Sequence, residues 1–360
     1  INIQYTSGTT GFPKAATLTH RNILMNGYYV TGCQNITDQD RMCIPVPYYH
    51  CFGLVMGTLG AISRGATMVI PAEFFNPTDT LEAMEKERAT TIYGVPTMFV
   101  AMLADPTYKN RDLSNIRSGI MAGSPCPIET MREVMGDMGV KEVTIAYGLT
   151  ESSPVITQTR VDDPVELRVE TVGRAIPGVE VKIVDPETGK TLGDGEQGEL
   201  CSRGHGTMLG YYQNDEATNA CIDKDGWLHT GDIALQREGG YYSITGRIKD
   251  MVIRGGENIY PREIEEFLFT HPEITQAAVV GVPDAKYGEE LCAWIQTKGG
   301  KALSEDEVKA YCKGKLAHYK VPRYVKSVDE FPQTVTGKIQ KFKIRDAMIE
   351  ELGLTVQQTA

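Results

Sequence analysis

The sequence predicts an α/β protein: a large lobe built on a parallel α/β sheet with a small β subdomain, followed by a compact α+β C-terminal domain. Three observations predict it. At 360 residues the chain exceeds one ordinary core, since a domain takes about 150 residues. From Met42 to Tyr147 short apolar runs rich in β-branched residues alternate with helix-length segments, as in a parallel sheet crossed by helices. The patterning then changes twice, near Val172 and again after Tyr242.

Taken in order, Ile1 opens a strand-like stretch that runs into Tyr5-Thr6-Ser7-Gly8-Thr9-Thr10-Gly11-Phe12-Pro13-Lys14. The strands of the large lobe are expected at Ala66 to Ile70, Thr91 to Val95, Ile116 to Met121 and Val143 to Tyr147. Between Val172 and Tyr242 short strands are punctuated by turns such as Asp185-Pro186-Glu187-Thr188-Gly189 and Gly193-Asp194-Gly195, which reads as the small β subdomain. Beyond it, Pro261 suits a first helical turn and is followed by Ile264, Phe267 and Leu268 at helical spacing. Gln276 to Val282 and Leu291 to Thr297 read as strands, and Ser304 with Glu307 forms a capping box ahead of Val308, Tyr311 and Cys312. The run Thr245-Gly246-Arg247-Ile248-Lys249-Asp250 is too polar for a core and marks the joint. The domains are therefore expected at 1–248 and 249–360.

Composition excludes several classes of function. Forty-seven acidic residues against thirty-six basic ones give a net charge of -11, which repels phosphate polyanions and offers no broad basic patch, so nucleic acid is not an expected partner. No apolar run approaches the roughly 18 residues that span a bilayer, and no signal peptide opens the chain. The eight cysteines are scattered, with no CxxC pair and no histidine at zinc-ligand spacing. They read as buried free thiols of a reducing compartment, hence a cytoplasmic protein, or one of the mitochondrial matrix if a presequence precedes Ile1. A homo-oligomer is compatible with the sequence.

The strongest local signal is the segment from Tyr5 to Lys14, with two glycines, four hydroxyls and a lysine behind a short strand. Glycine lets backbone N–H groups approach phosphate oxygens, hydroxyls add donors, and Lys14 adds a point charge. A Walker loop would need Gly-Lys-Ser/Thr, whereas Pro13 and Lys14-Ala15 stand there. The alternative is a plain Ser/Thr/Gly turn.

This string resembles the phosphate-loop signature of the adenylate-forming superfamily of acyl-CoA synthetases, luciferases and peptide-synthetase adenylation domains. Tyr147-Gly148-Leu149-Thr150-Glu151, Gly226-Trp227-Leu228-His229-Thr230-Gly231-Asp232, Gly246-Arg247-Ile248-Lys249-Asp250 and Pro332-Gln333-Thr334-Val335-Thr336-Gly337-Lys338 follow in the family's order. Arg254-Gly255-Gly256-Glu257-Asn258-Ile259-Tyr260-Pro261 is most similar to the medium-chain fatty acyl-CoA synthetase branch. The resemblance implies an AMP-forming fatty acid:CoA ligase using ATP, Mg2+ and coenzyme A, with 1–248 binding ATP and acyl substrate and 249–360 a mobile lid. It also implies a stretch of large lobe ahead of the phosphate loop that this sequence does not contain.

What the resemblance implies residue by residue can be set beside plainer readings. Thr6, Ser7, Gly8, Thr9, Thr10, Gly11, Phe12, Pro13 and Lys14 would cradle the phosphates. Glu151 would ligate magnesium together with Thr9, one carboxylate with the hydroxyl of Thr9 or Thr10 and phosphate oxygens being chemically sufficient; the alternative is a solvated surface carboxylate. Tyr147, with Gly148 and Thr150, would wall one side of adenine and Gly123-Ser124-Pro125 the other; a core tyrosine is the alternative. Asp232 would read the ribose diol and Arg247 the ribose or phosphate, or both are surface-turn residues. Lys338 would stabilise charge on the α-phosphate as a carboxylate attacks it. Lys249 would be the hinge and Gly255 and Gly256 would line the pantetheine passage, unless the glycines form only a turn. His50, in an aromatic cluster before Phe52, would border the acyl carboxylate, or be a satisfied structural histidine. Phe52, Leu54, Val55 and Met56 carry no acid to hold a substrate ammonium, which argues against amino-acid activation. Rival readings are acyl transfer to a carrier-protein pantetheine, decarboxylation or oxidation of the adenylate, and a catalytically silent nucleotide-binding module.

Overall fold

The computed structural model describes residues 1–6, 13–124, 126–334 and 338–354. The chain forms two compact units, Ile1–Thr230 with Ala234–Ile244, and Gly231–Ile233 with Thr245–Ala360.

The first unit is organised by a seven-stranded sheet in the order Thr67–Val69, Arg41–Cys43, Thr91–Gly94, Ser118–Ala122, Glu142–Gly148, Val155–Gln158, Arg174–Ala175. The first five strands pair in parallel. The last two join antiparallel, so the parallel strands expected from Met42 to Tyr147 are extended into a mixed sheet. The reason is the short connection 149–154, too brief for the crossover of about a dozen residues that a parallel neighbour requires.

Both faces of this sheet are covered, which is why its strands read as unbroken apolar runs. Ile92 and Met121 enter one cluster with Leu81, Phe99, Met102 and Met131. Their chain neighbours Tyr93 and Ile120 enter another with Val30, Ile44, Phe52 and Met56. The first face is packed by helices Pro77–Lys86, Pro96–Ala104 and Ile128–Gly136. On the second lie helix His20–Gly32, started by a Thr19 capping box, and a wide helical segment Phe52–Leu59. Glycines let these two meet. A β-carbon at Gly27 would lie 2.6 Å from the Val55 carbonyl oxygen, and one at Gly60 2.7 Å from the Thr31 methyl.

Two smaller sheets complete this part of the chain. Asn2–Tyr5, Ala15–Leu18 and Gly210–Tyr211 form an antiparallel trio. Val179–Val184, Gln197–Gly204, Leu228–Arg237 and Tyr241–Arg247 form the four-stranded sheet of the β subdomain.

In the second unit, Glu257–Ile259, Val252–Arg254, Gly288–Thr297 and Ile274–Asp284 pair in that order, with Tyr324–Ser327 added in parallel to Gly288–Thr297. Ile264, Leu268, Val279, Leu291 and Val308 pack one face, and Val280, Trp294, Ile344 and Met348 the other. Pro261 occupies the first turn of helix Pro261–Phe269, and the Ser304–Glu307 capping box opens Glu305–Cys312.

All eight cysteines are free thiols, seven buried and Cys221 half-buried. Burial pushes the thiols of Cys43, Cys201 and Cys292 up to about 12 and that of Cys312 to about 11. Among the described residues no helix is long and apolar enough to cross a membrane.

Candidate active site

The loop that carries Lys14 joins two antiparallel strands, with Tyr5 opposite Ala15 at its neck. Thr6 N donates to the Lys14 carbonyl at 2.8 Å, and Lys14 N to the Thr6 hydroxyl at 3.3 Å. A Walker loop runs from strand into helix; here strand returns to strand, in keeping with the Pro13-Lys14-Ala15 sequence. Ser7, Gly8, Thr9, Thr10, Gly11 and Phe12 lie outside the described residues. Pro13 and Lys14 are exposed and open on a cleft of about 400 Å³ that Tyr5, Tyr211 and Asn214 also line. Behind the hairpin the Gln4 amide donates to the Tyr49 carbonyl at 2.5 Å, tying the strand to the segment that bears His50.

Glu151 stands on the turn that follows strand Glu142–Gly148, at the carboxyl edge of the parallel strands, where α/β sheets bind ligands. The turn is tightly fixed. A β-carbon on Gly148 would lie 1.8 Å from the Pro154 carbonyl oxygen. Leu149 N donates to the Ser152 hydroxyl at 3.0 Å, and Met208 N to the Glu151 carbonyl at 2.9 Å. The Tyr211 phenol donates to Glu151 Oε1 at 2.6 Å, and the Lys14 ammonium stands 4.9 Å from the centre of the same ring. Burial, and then the Glu151 charge, push this phenol's pKa well up. Tyr211 thus meets both Glu151 and Lys14, and sequence reasoning missed it. Its only signal was the aromatic pair Tyr211-Tyr212 after a glycine, far along the chain from both partners.

Ala122 and Ala146 are paired in neighbouring parallel strands, so Gly123 and Tyr147, the next residues of each, emerge side by side at the same edge. Gly123 adopts φ +90° and Ser124 is half-buried, while Pro125 lies outside the described residues. Tyr147, Gly148 and Thr150 are half-buried, and the Tyr147 ring rests partly on the core. His50 Nδ1 accepts from the Phe52 backbone N–H at 3.2 Å, which leaves the proton of the neutral ring on Nε2.

In the second unit Arg247 Nε donates to Asp232 Oδ1 at 2.6 Å; Asp232 is buried, while Arg247 remains partly accessible. Lys249 is exposed in the short helical turn Ile248–Asp250. Gly255 and Gly256 are the two-residue turn of hairpin Val252–Ile259, with φ +60° and +90°, values that select glycine. Lys338 is exposed on a loop closed by the Gln333–Ile339 bridge, and its N–H donates to the Thr334 hydroxyl at 3.1 Å. Val335, Thr336 and Gly337 lie outside the described residues.

The structure also gathers donors that no spacing announced. Glu199 and Cys201 share one face of strand Gln197–Gly204, and His229 comes from the adjacent strand. His229 Nδ1 lies 2.8 Å from Glu199 Oε2 and 3.4 Å from Cys201 Sγ. These are hydrogen-bond contacts, and with its thiol pushed up to about 12 by burial and by Glu199, Cys201 keeps its proton. The absence of a CxxC pair is uninformative here because adjacent strands supply the neighbours.

A sheet ending in an acidic turn, a hydroxyl-rich hairpin and a separate α+β unit are the parts of a family whose models match this chain. That of the AMP-binding enzyme matches residues 1–212, and that of the AMP-binding enzyme C-terminal domain matches residues 263–338. The chain belongs to the AMP-binding enzyme family of adenylate-forming proteins. Among individual relatives, YngI of Bacillus subtilis (strain 168), provisionally named an acyl-CoA synthetase, is 58% identical over 99% of this chain and 65% of its own length. Medium-chain acyl-CoA ligase ACSF2, mitochondrial, of Danio rerio is 52% identical over 98% of this chain and 59% of its own length. This chain therefore spans 59–65% of the length of these two relatives. ATP-bound MatB from Rhodopseudomonas palustris superposes with a TM-score of 0.90 at 34% identity, over 97% of this chain and 68% of that one.

Proposed function

We propose that this chain activates a medium-chain or similar carboxylic acid with ATP and passes the acyl group to coenzyme A. The acid's carboxylate attacks the α-phosphate, giving acyl-AMP and pyrophosphate; the CoA thiolate then displaces AMP, giving the acyl thioester. The observation that carries the reading is the meeting of Lys14, Tyr211 and Glu151 beside the phosphate-loop neck, which supports it by bringing together a cation and a carboxylate of the kinds that a nucleotide triphosphate and its metal call for. The name of the Danio rerio relative, at 52% identity, favours medium-chain acids, and the ATP in the MatB structure favours ATP as the nucleotide.

In this reading the loop from Thr6 to Lys14 cradles the phosphates, Tyr147 with Gly148 and Thr150 faces adenine across from Gly123, Ser124 and Pro125, and the Asp232–Arg247 pair reads the ribose. Glu151 is an oxygen donor of the hard type that Mg2+ prefers, and Thr9 would add a hydroxyl. Bound there, Mg2+ would neutralise charge on the triphosphate. Lys338 stabilises charge developing at the α-phosphate. Its exposure beside the Gln333–Ile339 bridge suits a group that is presented for one half-reaction and withdrawn for the next. Lys249, exposed in a polar turn, is the hinge between 1–248 and 249–360, and the Gly255-Gly256 turn offers backbone without side chains to pantetheine. His50 Nε2–H faces the acyl carboxylate. The free thiols suit a reducing interior, the cytoplasm or a mitochondrion.

Nucleotide product analysis tests this. With ATP, magnesium and a series of saturated acids, AMP should form only when acid and CoA are both present, with acyl-CoA as the co-product. ADP, or AMP whose acyl partner is a carrier protein and never free CoA, would replace the reading with another. Lys338→Ala should lose adenylation roughly a hundredfold, about 3 kcal/mol, yet still form thioester from supplied acyl-AMP. Equal loss of both half-reactions would refute its assigned role.

A further inference from the structure

We propose that Tyr211 is a positioning residue whose hydroxyl holds the Glu151 carboxylate in the pose that binds a divalent cation. The inference rests on the nucleotide-activating function proposed above and deepens it. A phenol donating at 2.6 Å to Glu151 Oε1 makes a short, charge-assisted bond. It occupies one carboxylate oxygen and orients the other, which suits a cation that takes few protein oxygens alongside phosphate and water. The same ring faces Lys14 at 4.9 Å, within cation–π range, so one side chain sets the spacing between the carboxylate and the phosphate-loop lysine.

Both ends of the Tyr211–Glu151 bond are anchored. Tyr211 pairs with Ala16 in the three-stranded sheet, and its N–H donates to the Thr218 hydroxyl at 2.8 Å. Beneath it, Gly210 is pressed against Thr218, whose methyl would lie 2.7 Å from an added β-carbon. On the other side Met208 N holds the Glu151 carbonyl at 2.9 Å, and the Ser153 hydroxyl donates to the Gly206 carbonyl at 2.7 Å. The segment bearing the phenol and the turn bearing the carboxylate are therefore laced by bonds that a change of the Tyr211 hydroxyl leaves in place. A tyrosine serving only the core would need some acceptor for its hydroxyl, but Tyr211 spends it on a carboxylate at the sheet edge.

The test is binding of Mn2+, a paramagnetic stand-in for Mg2+, to the protein with a non-hydrolysable ATP analogue, followed by electron paramagnetic resonance. Removing an outer partner of a metal ligand typically costs 10–100-fold in affinity. Tyr211→Phe, which keeps the ring and its face toward Lys14, should raise the Mn2+ Kd roughly 10-fold. It should raise the Mg2+ needed for half-maximal acid-dependent pyrophosphate exchange by a similar factor, with an unchanged melting temperature. Glu151→Asp, which draws the carboxylate back from the phenol, should weaken Mn2+ as well, and adding Tyr211→Phe to it should cost little more, because the two changes remove one interaction. Wild-type Mn2+ affinity in Tyr211→Phe, or fully additive losses in the double variant, would overturn the proposal. Should Tyr211→Phe fail to fold, the same result is read from 3-fluorotyrosine at position 211, which alters the donor and hardly the shape, placed in the wild type and in Glu151→Asp. An Mn2+ affinity that responds to fluorination while Glu151 is intact, but not once Glu151→Asp is present, upholds the proposal, and any other pattern overturns it. If the wild type itself forms no AMP from any acid, the functional reading fails, and that outcome is separate from the Mn2+ comparison.

Discussion

The hydrogen atom at Gly148 is a structural requirement of the site. With the Pro154 carbonyl oxygen 1.8 Å from where a β-carbon would be, Gly148→Ala must push the 149–154 turn, and Glu151 with it, out of place. We predict a loss of stability of about 2 kcal/mol, read from the denaturant midpoint, together with weakened Mn2+ binding. Asp40 makes a second prediction. It is buried and receives Arg117 Nε and Nη2 at 3.2 and 2.9 Å, the Thr90 hydroxyl at 2.7 Å and the Thr37 N–H at 2.9 Å. Burial alone would raise its pKa, but the Arg117, Thr37 and Thr90 bonds outweigh that and hold it below the ordinary aspartate value. A folded value below the unfolded one stabilises the protein above about pH 4 and ceases to do so as pH falls through the lowered value. Asp40→Asn should therefore cost about 2 kcal/mol at pH 7, a figure reduced because Arg117 is partly solvated. The gap from wild type should narrow as the pH drops below about 4; an equal gap at about pH 3 and pH 7 would contradict the assignment. Residues such as Glu151 and Lys14 stood out in the sequence because charge near glycine and hydroxyl groups has a recognisable pattern. Tyr211 did not, because its partners are distant along the chain and a tyrosine beside a glycine carries no chemistry of its own.

Among the elements, the sheet strands were legible and the helix at His20–Gly32 was not. Strands buried on both faces show as unbroken apolar runs, and four of the seven in the central sheet, Thr67–Val69, Thr91–Gly94, Ser118–Ala122 and Glu142–Gly148, lie close to the expected segments, whereas Arg41–Cys43, Val155–Gln158 and Arg174–Ala175 fall outside them. Helix His20–Gly32 hides its periodicity by burying Asn22 and Asn26. Their amides donate to the carbonyls of His205 and Thr207, and of Ser152 and Val155, so polar residues occupy positions where a helix pattern calls for apolar ones. Phe52–Leu59 is apolar on nearly every side and gives no period to read. Its wide turn shows in the structure, for example in the Gly60 N–H reaching the Val55 carbonyl five residues back. The mixed character of the sheet was also hidden, since a strand's apolar run does not state the direction of its neighbour. From the close meeting of these two helical segments, Gly27→Leu should cost about 2–3 kcal/mol by overpacking against Val55. A melting temperature equal to wild type would show that the segments can part freely.

For the whole molecule, the change of patterning after Tyr242 announces a second unit, and the polar run Thr245 to Asp250 announces a joint. The grouping of Gly231–Ile233 with the later unit is invisible in sequence because it depends on packing and not on chain order. If Lys249 is the hinge, Lys249→Pro, which restricts the backbone at that turn, should slow thioester formation from supplied acyl-AMP more than it slows pyrophosphate exchange. Equal slowing would place the pivot elsewhere. The burial of the cysteines makes such a pivot practical to watch. Thiols that are sheltered, and in several cases pushed up to about 11 or 12, hold almost no thiolate at neutral pH and react slowly with maleimides. The protein is thus a nearly blank background for dye attachment. Single cysteines introduced on the exposed turns of each unit would be the fast-labelling positions, and the distance between two fluorophores could be followed through a turnover without first stripping out the native thiols.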